Sequence, residues 1–329
     1  MVHESLAEAS NNLIYSAIVV YTLAMFVLAA EWAFGSRTRF AASVVTVEAR
    51  SPVAVGAPGA AAPPVAPSVA PSVSPAGRKG ERLGRVGFSL ATLAFLLHLA
   101  GVVARGLSVE RAPWGNMYEF STAAALSGMG AYLVLAKRYG LRWMGVFVVT
   151  PTLLTLGLAV MVLYTDASQL MPALQSYWLA VHVLAAVMST GLFTLGSVIS
   201  ILFIVREKAE AKAAASGGPA TPSRLGTAAS LDRLAYRVHA FVFPLWTFAV
   251  IAGAIWAESA WQRYWGWDPK ETWAFITWVV YAAYLHARAT AGWKGRKAAY
   301  VALLGWSCLM FNYFIINIFI TGLHSYAGL

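Results

Sequence analysis

The chain contains eight long apolar runs, and these runs restrict its possible folds more than any other feature. At a rise of about 1.5 Å per residue, a helix of about 20 residues crosses the ~30 Å hydrocarbon core of a bilayer. The runs do not alternate between polar and apolar residues, and they are too long for barrel strands. They therefore predict an all-α, polytopic membrane bundle with about eight transmembrane helices, at 11–34, 86–104, 117–136, 143–163, 177–205, 238–257, 272–287 and 298–321.

Composition supports a membrane location. Hydrophobic residues make up 59% of the 329 positions and charged residues only 12%. An ordinary soluble domain of this length carries about twice that share of charge, so this class is excluded. No basic segment precedes the first run, and we therefore expect no cleavable signal peptide.

The basic residues predict the orientation of the bundle. All but four of the 24 Lys and Arg residues fall in the segments 35–87, 137–142, 206–237 and 288–297. The positive-inside rule places these segments in the cytoplasm, so both termini and residues 256–273 are expected to be extracytoplasmic. Because topology accounts for the net charge of +10, we expect no nucleic-acid partner. The four exceptions are Arg105, Arg111, Arg263 and Lys270.

Two segments have the composition of linkers. Residues 51–77 hold half of the fourteen prolines and no charge, and residues 206–230 are rich in Ala, Lys, Glu, Gly and Ser. Neither can build a core, so both are predicted to be cytoplasmic connections. We therefore divide the chain into a loosely tethered N-terminal helix (1–34), a Pro/Ala-rich linker (35–85) and a membrane domain (86–329) with a cytoplasmic loop at 206–237.

The most unusual segment is WAESAWQRYWGWDPKETW, residues 256–273, called the tryptophan segment below. It carries five tryptophans and a tyrosine between two apolar runs. An interfacial aromatic belt is the simplest explanation for any two of them. The whole group is better explained as a surface for a large, planar, apolar ligand. The candidate ligand-binding residues are Trp256, Trp261, Tyr264, Trp265, Trp267, Asp268 and Trp273.

Asp268 is the notable charge in this segment because it precedes Pro269. An Asp before a Pro is typical of a helix N-cap, which is the favoured interpretation. Orientation of an indole N–H, or of a substrate group, stays open as a second role.

Two histidines are predicted to approach the tryptophan segment. His182 lies near the start of the fifth run, and His324 follows the eighth run on the same side. Two imidazoles that face each other could fill both axial positions of a haem iron. An isolated histidine at a helix end is usually structural. The convergence of His182 and His324 on the same aromatic residues instead favours a role as iron ligands.

His286 is predicted to lie far from this pair, about 22 Å from the outer end of the seventh run. It cannot share an iron with His182 or His324, and it is either functional or a neutral, hydrogen-bonded imidazole. His239 matches its depth, whereas His98 lies nearer the outer half. The single cysteine, Cys308, excludes both a CxxCH and a CxxC motif within this chain.

The strings WGWDPKETW at 265–273 and GLHSYA at 322–327 resemble the CcsA/ResC family of cytochrome c maturation proteins, labelled CcsB in some bacteria. The similarity extends over 86–329 and includes APWGNMYEF at 112–120. The related CcmC and CcmF families also carry such tryptophan-rich WWD segments, but the PKETW and HSYA strings are more similar to CcsA. This chain has AWQRYW where the family commonly has AWGxYW, so Gln262 replaces a glycine.

The resemblance implies a specific function. The WWD segment would hold haem b on the outer face, His182 and His324 would ligate its iron, and His286 would match an intramembrane haem ligand. Asp268, His182 and His324 would then serve the attachment of haem vinyl groups to CxxCH cysteines of apocytochrome c. The family implies a cytochrome c synthase with a ResB-type membrane partner, in a bacterial cytoplasmic membrane rather than a plastid thylakoid.

Two other functional classes would each explain part of the sequence. An ion- or proton-coupled transporter would explain His286 and the eight runs, but it predicts inverted repeats and broken helices that the sequence does not show. A non-catalytic subunit of a membrane complex would explain the hydrophobicity but not the tryptophan segment.

Overall fold

The computed structural model describes residues 2–34, 75–170, 175–217 and 224–324, and this part of the chain is helical with connecting loops. Each predicted apolar run overlaps one long helix. The Pro-rich stretch at 51–77 falls almost entirely outside the described residues. The long helices are α1 Glu4–Phe34, α2 Pro75–Ser108, α3 Met117–Tyr139, α4 Gly145–Met161, α5 Tyr177–Ala215, α6 Ala228–Trp261, α7 Pro269–Ala289 and α8 Arg296–Met310.

Six of these helical segments are long and apolar enough to cross a membrane, which confirms the helical membrane class. The remaining helices α3 and α7 fall outside this set, so a count of eight spans stays a prediction. The six segments are Glu4–Phe34, Lys79–Ser108, Arg142–Met161, Tyr177–Ala215, Ala228–Trp261 and Arg296–Phe319.

Local sequence explains where several helices begin and end. The Asn116 side chain accepts the Glu119 N–H at 2.8 Å and begins α3, and Gly140 ends this helix in the left-handed conformation at φ 68°. Ser176 caps α5 through the Trp178 N–H. Helix α8 continues into a π-helical segment, Phe311–Ile316, and a short α9, Asn317–Phe319.

The first helix is an integral part of the bundle. Its buried residues Ala17, Tyr21, Ala24 and Leu28 recur at helical spacing and belong to the main hydrophobic core. Helix α1 packs on α2 and α4. The expectation of a loosely tethered helix is therefore wrong, because one apolar face of α1 is closed by neighbouring helices.

The loops gather at two ends of the bundle. At the end that carries the tryptophan segment, called the outer end, His3 Nε2 lies 3.0 Å from a Glu110 carboxylate oxygen, and Gln169 Nε2 donates to the Val109 carbonyl at 2.9 Å. At the opposite, inner end, Arg288 pairs with Asp232 at 2.7 Å. Which end faces the cytoplasm remains a prediction from the basic residues.

Helix α5 lies at the centre of the bundle and packs against α3, α6 and α8. A side chain at Gly191 would collide with Ser127 and the Ala124 carbonyl of α3, so a glycine is needed for this close approach. The second turn of α5 carries His182 at the outer end of the bundle.

Candidate functional site

A cavity of about 560 Å³ opens at the outer end of the bundle. This volume is within the range of pockets that bind small molecules and cofactors. Its wall is formed by the loop before α3, the start of α5, the end of α6, the tryptophan segment, the π-helical segment and the C-terminal residues around His324. Helices distant in sequence therefore converge on one space.

The position of the His182 ring depends on a glycine of α6. A Cβ atom at Gly253 would lie 2.7 Å from both Nδ1 and Cε1 of His182, so only glycine leaves room for the imidazole. One turn earlier on α6, the Ala249 carbonyl oxygen lies 2.7 Å from His182 Nδ1. Because a carbonyl can only accept, Nδ1 carries the proton and Nε2 carries the lone pair.

His324 is positioned in a similar way by Asp268. Its Nδ1 lies 3.0 Å from Asp268 Oδ2, and the Leu323 N–H donates to Asp268 Oδ1 at 2.8 Å. A Cβ at Gly322 would lie 2.7 Å from this same Oδ1, which explains a glycine two residues before the histidine. The carboxylate favours the proton on Nδ1, so Nε2 is again the basic nitrogen.

Trp256 joins the two histidines. Its indole stacks on the His182 ring at 6.3 Å between centroids, with only 9° between the planes, and meets the His324 ring edge-on at 5.8 Å. Trp261 packs against both Trp256 and His324 at 4.8 and 5.0 Å. The predicted convergence of His182 and His324 on the aromatic cluster is thus present in the structure.

The other residues of the tryptophan segment divide into two groups. Tyr264 and Trp265 line the cavity together with Trp256 and Trp261. Trp267 instead projects outward with 64% of its surface exposed, and Trp273 packs on Phe311 at 4.1 Å. Neither of these two indoles, nor Asp268, contributes to the cavity wall.

Asp268 is the N-cap of α7, as the sequence predicted. Its side chain accepts the Lys270 N–H at 3.3 Å, while the Glu271 side chain accepts the Asp268 N–H at 3.1 Å. Burial disfavours ionisation, but the hydrogen bonds from His324 and from the Leu323 and Lys270 amides outweigh it and lower the pKa of Asp268 to about 2. Asp268 is therefore an anion that both caps a helix and orients an imidazole.

The pKa of His324 is lowered by burial, although its hydrogen bond to Asp268 acts in the opposite direction. The neutral ring is consequently the favoured form near neutral pH, and a neutral imidazole is the form that binds metal ions.

Gln262 adopts the left-handed conformation at φ 56°, where it ends α6. This geometry is strained for a residue with a Cβ and relaxed for glycine. This conformation explains why the family commonly has a glycine at this position. Trp267 also has a positive φ of 57°, so the backbone is strained twice around Trp265.

Three further histidines, His98, His239 and His286, do not line the cavity. His239 is fully buried, with Phe193, Tyr281 and Tyr284 around its ring, and His98 is fully buried beside Tyr21. His286 lies in the last turn of α7 with its side chain exposed. The ring of His239 therefore contacts Tyr284, which is two residues before His286 on α7, but the two imidazoles do not pair.

Several residues of the cavity wall were missed by the sequence analysis, namely Trp114, Tyr177, Asn312 and Asn317. Trp114 could have been predicted from the sequence, because it belongs to the APWGNMYEF string. In the structure, Glu119 of this string is buried and accepts hydrogen bonds from Arg105 at 3.0 Å and Arg111 at 2.8 Å. Asn312 and Asn317 could not be predicted in this way, because no sequence pattern indicates a π-helical turn.

Comparison with known proteins gives a consistent result. Residues 114–324 match the family model described as cytochrome C assembly protein. The cytochrome c biogenesis protein CcsA of Synechococcus elongatus is 35% identical over 288 residues, which cover 74% of this chain and 87% of that protein. CcsA of Guillardia theta is 35% identical over 267 residues, covering 77% and 89% of the two chains.

A solved structure, the cytochrome c heme lyase CcmF, has a similar fold with a TM-score of 0.62 at 13% identity. The alignment covers 94% of this chain, which spans only 46% of the CcmF chain. At this identity the similarity concerns the fold alone. On the family match and the identity to CcsA proteins, the chain belongs to the CcsA/ResC family of cytochrome c assembly proteins.

Proposed function

We propose that this protein binds haem b in the outer cavity and presents it on the extracytoplasmic face for covalent attachment to the CxxCH motif of apocytochrome c. The observation that carries the proposal is the pair His182 and His324, each with Nδ1 held by an oxygen acceptor and each on the cavity wall. Metal-ligating histidines almost always have such a partner on the second nitrogen, which fixes the tautomer and directs the ligating atom.

The cavity wall suits haem as the substrate. Trp256, Trp261, Tyr264 and Trp265 supply apolar and aromatic surface that a planar macrocycle would remove from water. His182 and His324 would supply the two axial nitrogens. Asp268 would act as a positioning residue, since it holds His324 and the start of α7 without touching the cavity.

The bond-forming step needs groups from a second protein. A cysteine thiol adds across a haem vinyl group, so that a C–S bond forms and the thiol proton moves to the other vinyl carbon. Cys308 is buried in α8 and is the only cysteine of this chain, so the thiols belong to the client. The contribution of this protein is to hold the vinyl groups near the incoming thiols, an effect of proximity and orientation.

A ResB-type membrane partner is part of the proposal. His286 is exposed on α7, about two to three turns beyond the exposed apolar residues Val279 and Phe275. A second haem near the inner end of the bundle could be ligated by His286, and another chain would then supply the second axial ligand. We place the complex in a bacterial cytoplasmic membrane, as one subunit of a cytochrome c synthase.

The proposal is tested by coexpressing the chain, its partner and an apocytochrome that carries CxxCH in cells without the native pathway. Haem that remains on the client after denaturing electrophoresis reports covalent attachment. His182→Ala and His324→Ala are expected to reduce it more than tenfold, as expected for the loss of an axial ligand. His3→Ala is the matched control, because this histidine is exposed at the same end. Equal attachment by all four proteins would contradict the proposal.

A further inference from the structure

Among the described residues, four charged side chains line the outer cavity: Glu110, Arg111, Lys270 and Glu271. Two of them, Arg111 and Glu271, have a partner of opposite charge, and Glu110 lies beside an imidazole. Glu110 faces His3, Arg111 donates to Glu119, and Glu271 accepts from Arg263 at 3.2 Å. Lys270 is the exception among the described residues, because no carboxylate oxygen lies within 4.0 Å of its Nζ atom.

The contacts of Lys270 are neutral amides. Its Nζ atom donates to the Asn317 side-chain oxygen, and its carbonyl accepts from Asn312 Nδ2 at 3.2 Å. The nearby carboxylate of Asp268 is directed to His324 and to the Leu323 and Lys270 backbone amides. The ammonium charge on the cavity wall is therefore not neutralised by a direct ion pair.

The π-helical segment Phe311–Ile316 helps to build this polar wall. Its wider turn carries Asn312 and Tyr313, and Asn317 follows directly; all three line the cavity. Asn312 is only 5% exposed, and its Oδ1 atom has no hydrogen-bond partner. Such turns often occur at functional sites. A partly buried cation without a counter-charge is costly unless an anionic ligand completes the arrangement.

We propose that Lys270, supported by Asn312 and Asn317, binds a propionate carboxylate of the porphyrin. This inference rests on the proposed function and adds the orientation of the ring to it. The propionate edge of haem would face Lys270 and the π-helical segment, and the vinyl edge, on the opposite side of the macrocycle, would face away from them. Lys270 is thus a specificity-determining residue that decides which edge meets the client thiols.

The test compares haem with its dimethyl ester, in which both propionate charges are removed. The protein is purified with its partner from haem-deficient cells and titrated with each porphyrin by absorption spectroscopy. Wild type is expected to bind haem about tenfold or more tightly than the ester, as for a hydrogen bond to a charged group. Lys270→Gln should weaken haem binding by the same factor, leave ester binding unchanged and keep the bis-histidine spectrum.

Two variants complete the experiment. Lys270→Arg keeps the charge and should retain the preference for haem over the ester, and Lys294→Gln is the control because Lys294 is exposed at the inner end. If Lys270→Gln fails to fold, equal affinity of wild type for haem and ester still overturns the propionate assignment.

Each outcome can be read separately. Equal affinity of wild type for haem and ester, or unchanged haem affinity in Lys270→Gln, overturns the propionate assignment while leaving the proposed function in place. If Lys270→Gln impairs attachment to apocytochrome without changing haem affinity, the carboxylate belongs to the client and the assignment is again overturned. Wild type that binds neither porphyrin contradicts both proposals.

Discussion

The two histidines at the outer cavity differ instructively from the two in the middle of the bundle. His182 and His324 each have Nδ1 within 3.0 Å of an oxygen acceptor and line a cavity. His98 and His239 are fully buried among aromatic rings and line no part of this cavity. His239 and His182 each pack against a glycine, because a Cβ atom at Gly196 would collide with His239 as one at Gly253 would collide with His182. The proposed ligands therefore differ from the two packing histidines in that they line open space.

The largest expected effect comes from Gly253→Ala. The added Cβ would lie 2.7 Å from the His182 ring, so the imidazole must leave its position. We expect haem affinity at the outer cavity to fall about tenfold to a hundredfold, in line with losses from disturbed metal ligands. Gly157→Ala is the matched control, because nothing lies within 4 Å of its added Cβ. Equal affinities in the two variants would show that the position of His182 is irrelevant to haem.

Asp268→Asn is expected to have the next largest effect. Asparagine retains the N-cap and can still accept from His324, but it removes the charge that favours the proton on Nδ1. Haem affinity should fall about tenfold, measured by titration at pH 7.5. An unchanged affinity would mean that the carboxylate serves only the cap of α7.

The same variant has a distinct pH signature. Because the folded pKa of Asp268, about 2, is below the ordinary value of 3.8, its ionised form stabilises the wild-type protein above about pH 4. This contribution is lost as the pH falls toward 2. Thermal stability of wild type should therefore decline more steeply in that window than stability of Asp268→Asn. Parallel curves would contradict the role of the hydrogen bonds around this carboxylate.

A smaller effect is expected from Gln262→Gly at the end of α6. Glycine relieves the strain of a left-handed residue at φ 56°, and folding stability should rise by about 0.5 to 1 kcal/mol. Ser259→Gly, within α6 and exposed, should instead lower stability by a similar amount. Thermal unfolding in detergent measures both. A destabilised Gln262→Gly would show that Gln262 makes contacts more valuable than the strain it carries.

His239→Ala is expected to have the smallest effect on haem binding at the outer cavity. Loss of this buried ring leaves a hole beside Phe193 and Tyr281 and should lower stability by about 2 to 4 kcal/mol. Haem bound per folded molecule at the outer cavity should stay unchanged. A loss comparable to that in Gly253→Ala would erase the distinction between the two kinds of histidine.

The sequence predicted what depends on local patterns. Apolar run length fixed the positions of the helices, and the Asp-Pro pair correctly predicted the cap at Asp268. Position along the runs was enough to place His182 and His324 at one end.

Three features depended on packing that no local pattern encodes. The closure of one face of α1 by α2 and α4, the outward direction of Trp267, and the π-helical turn that brings Asn312 to the cavity all arise from contacts between distant segments. His286 shows the limit of depth arguments, because the helix register gave its height but not the exposed side on which it lies.

The most direct test of the central claim is the reduced-minus-oxidised absorption spectrum of the protein purified with its partner. Wild type should show b-type haem with bis-histidine ligation, extractable by acid acetone. His182→Ala and His324→Ala should each weaken this spectrum, and added imidazole should restore it. Haem-free wild type, or a spectrum indifferent to both substitutions, would contradict the assignment of His182 and His324 as the two axial ligands.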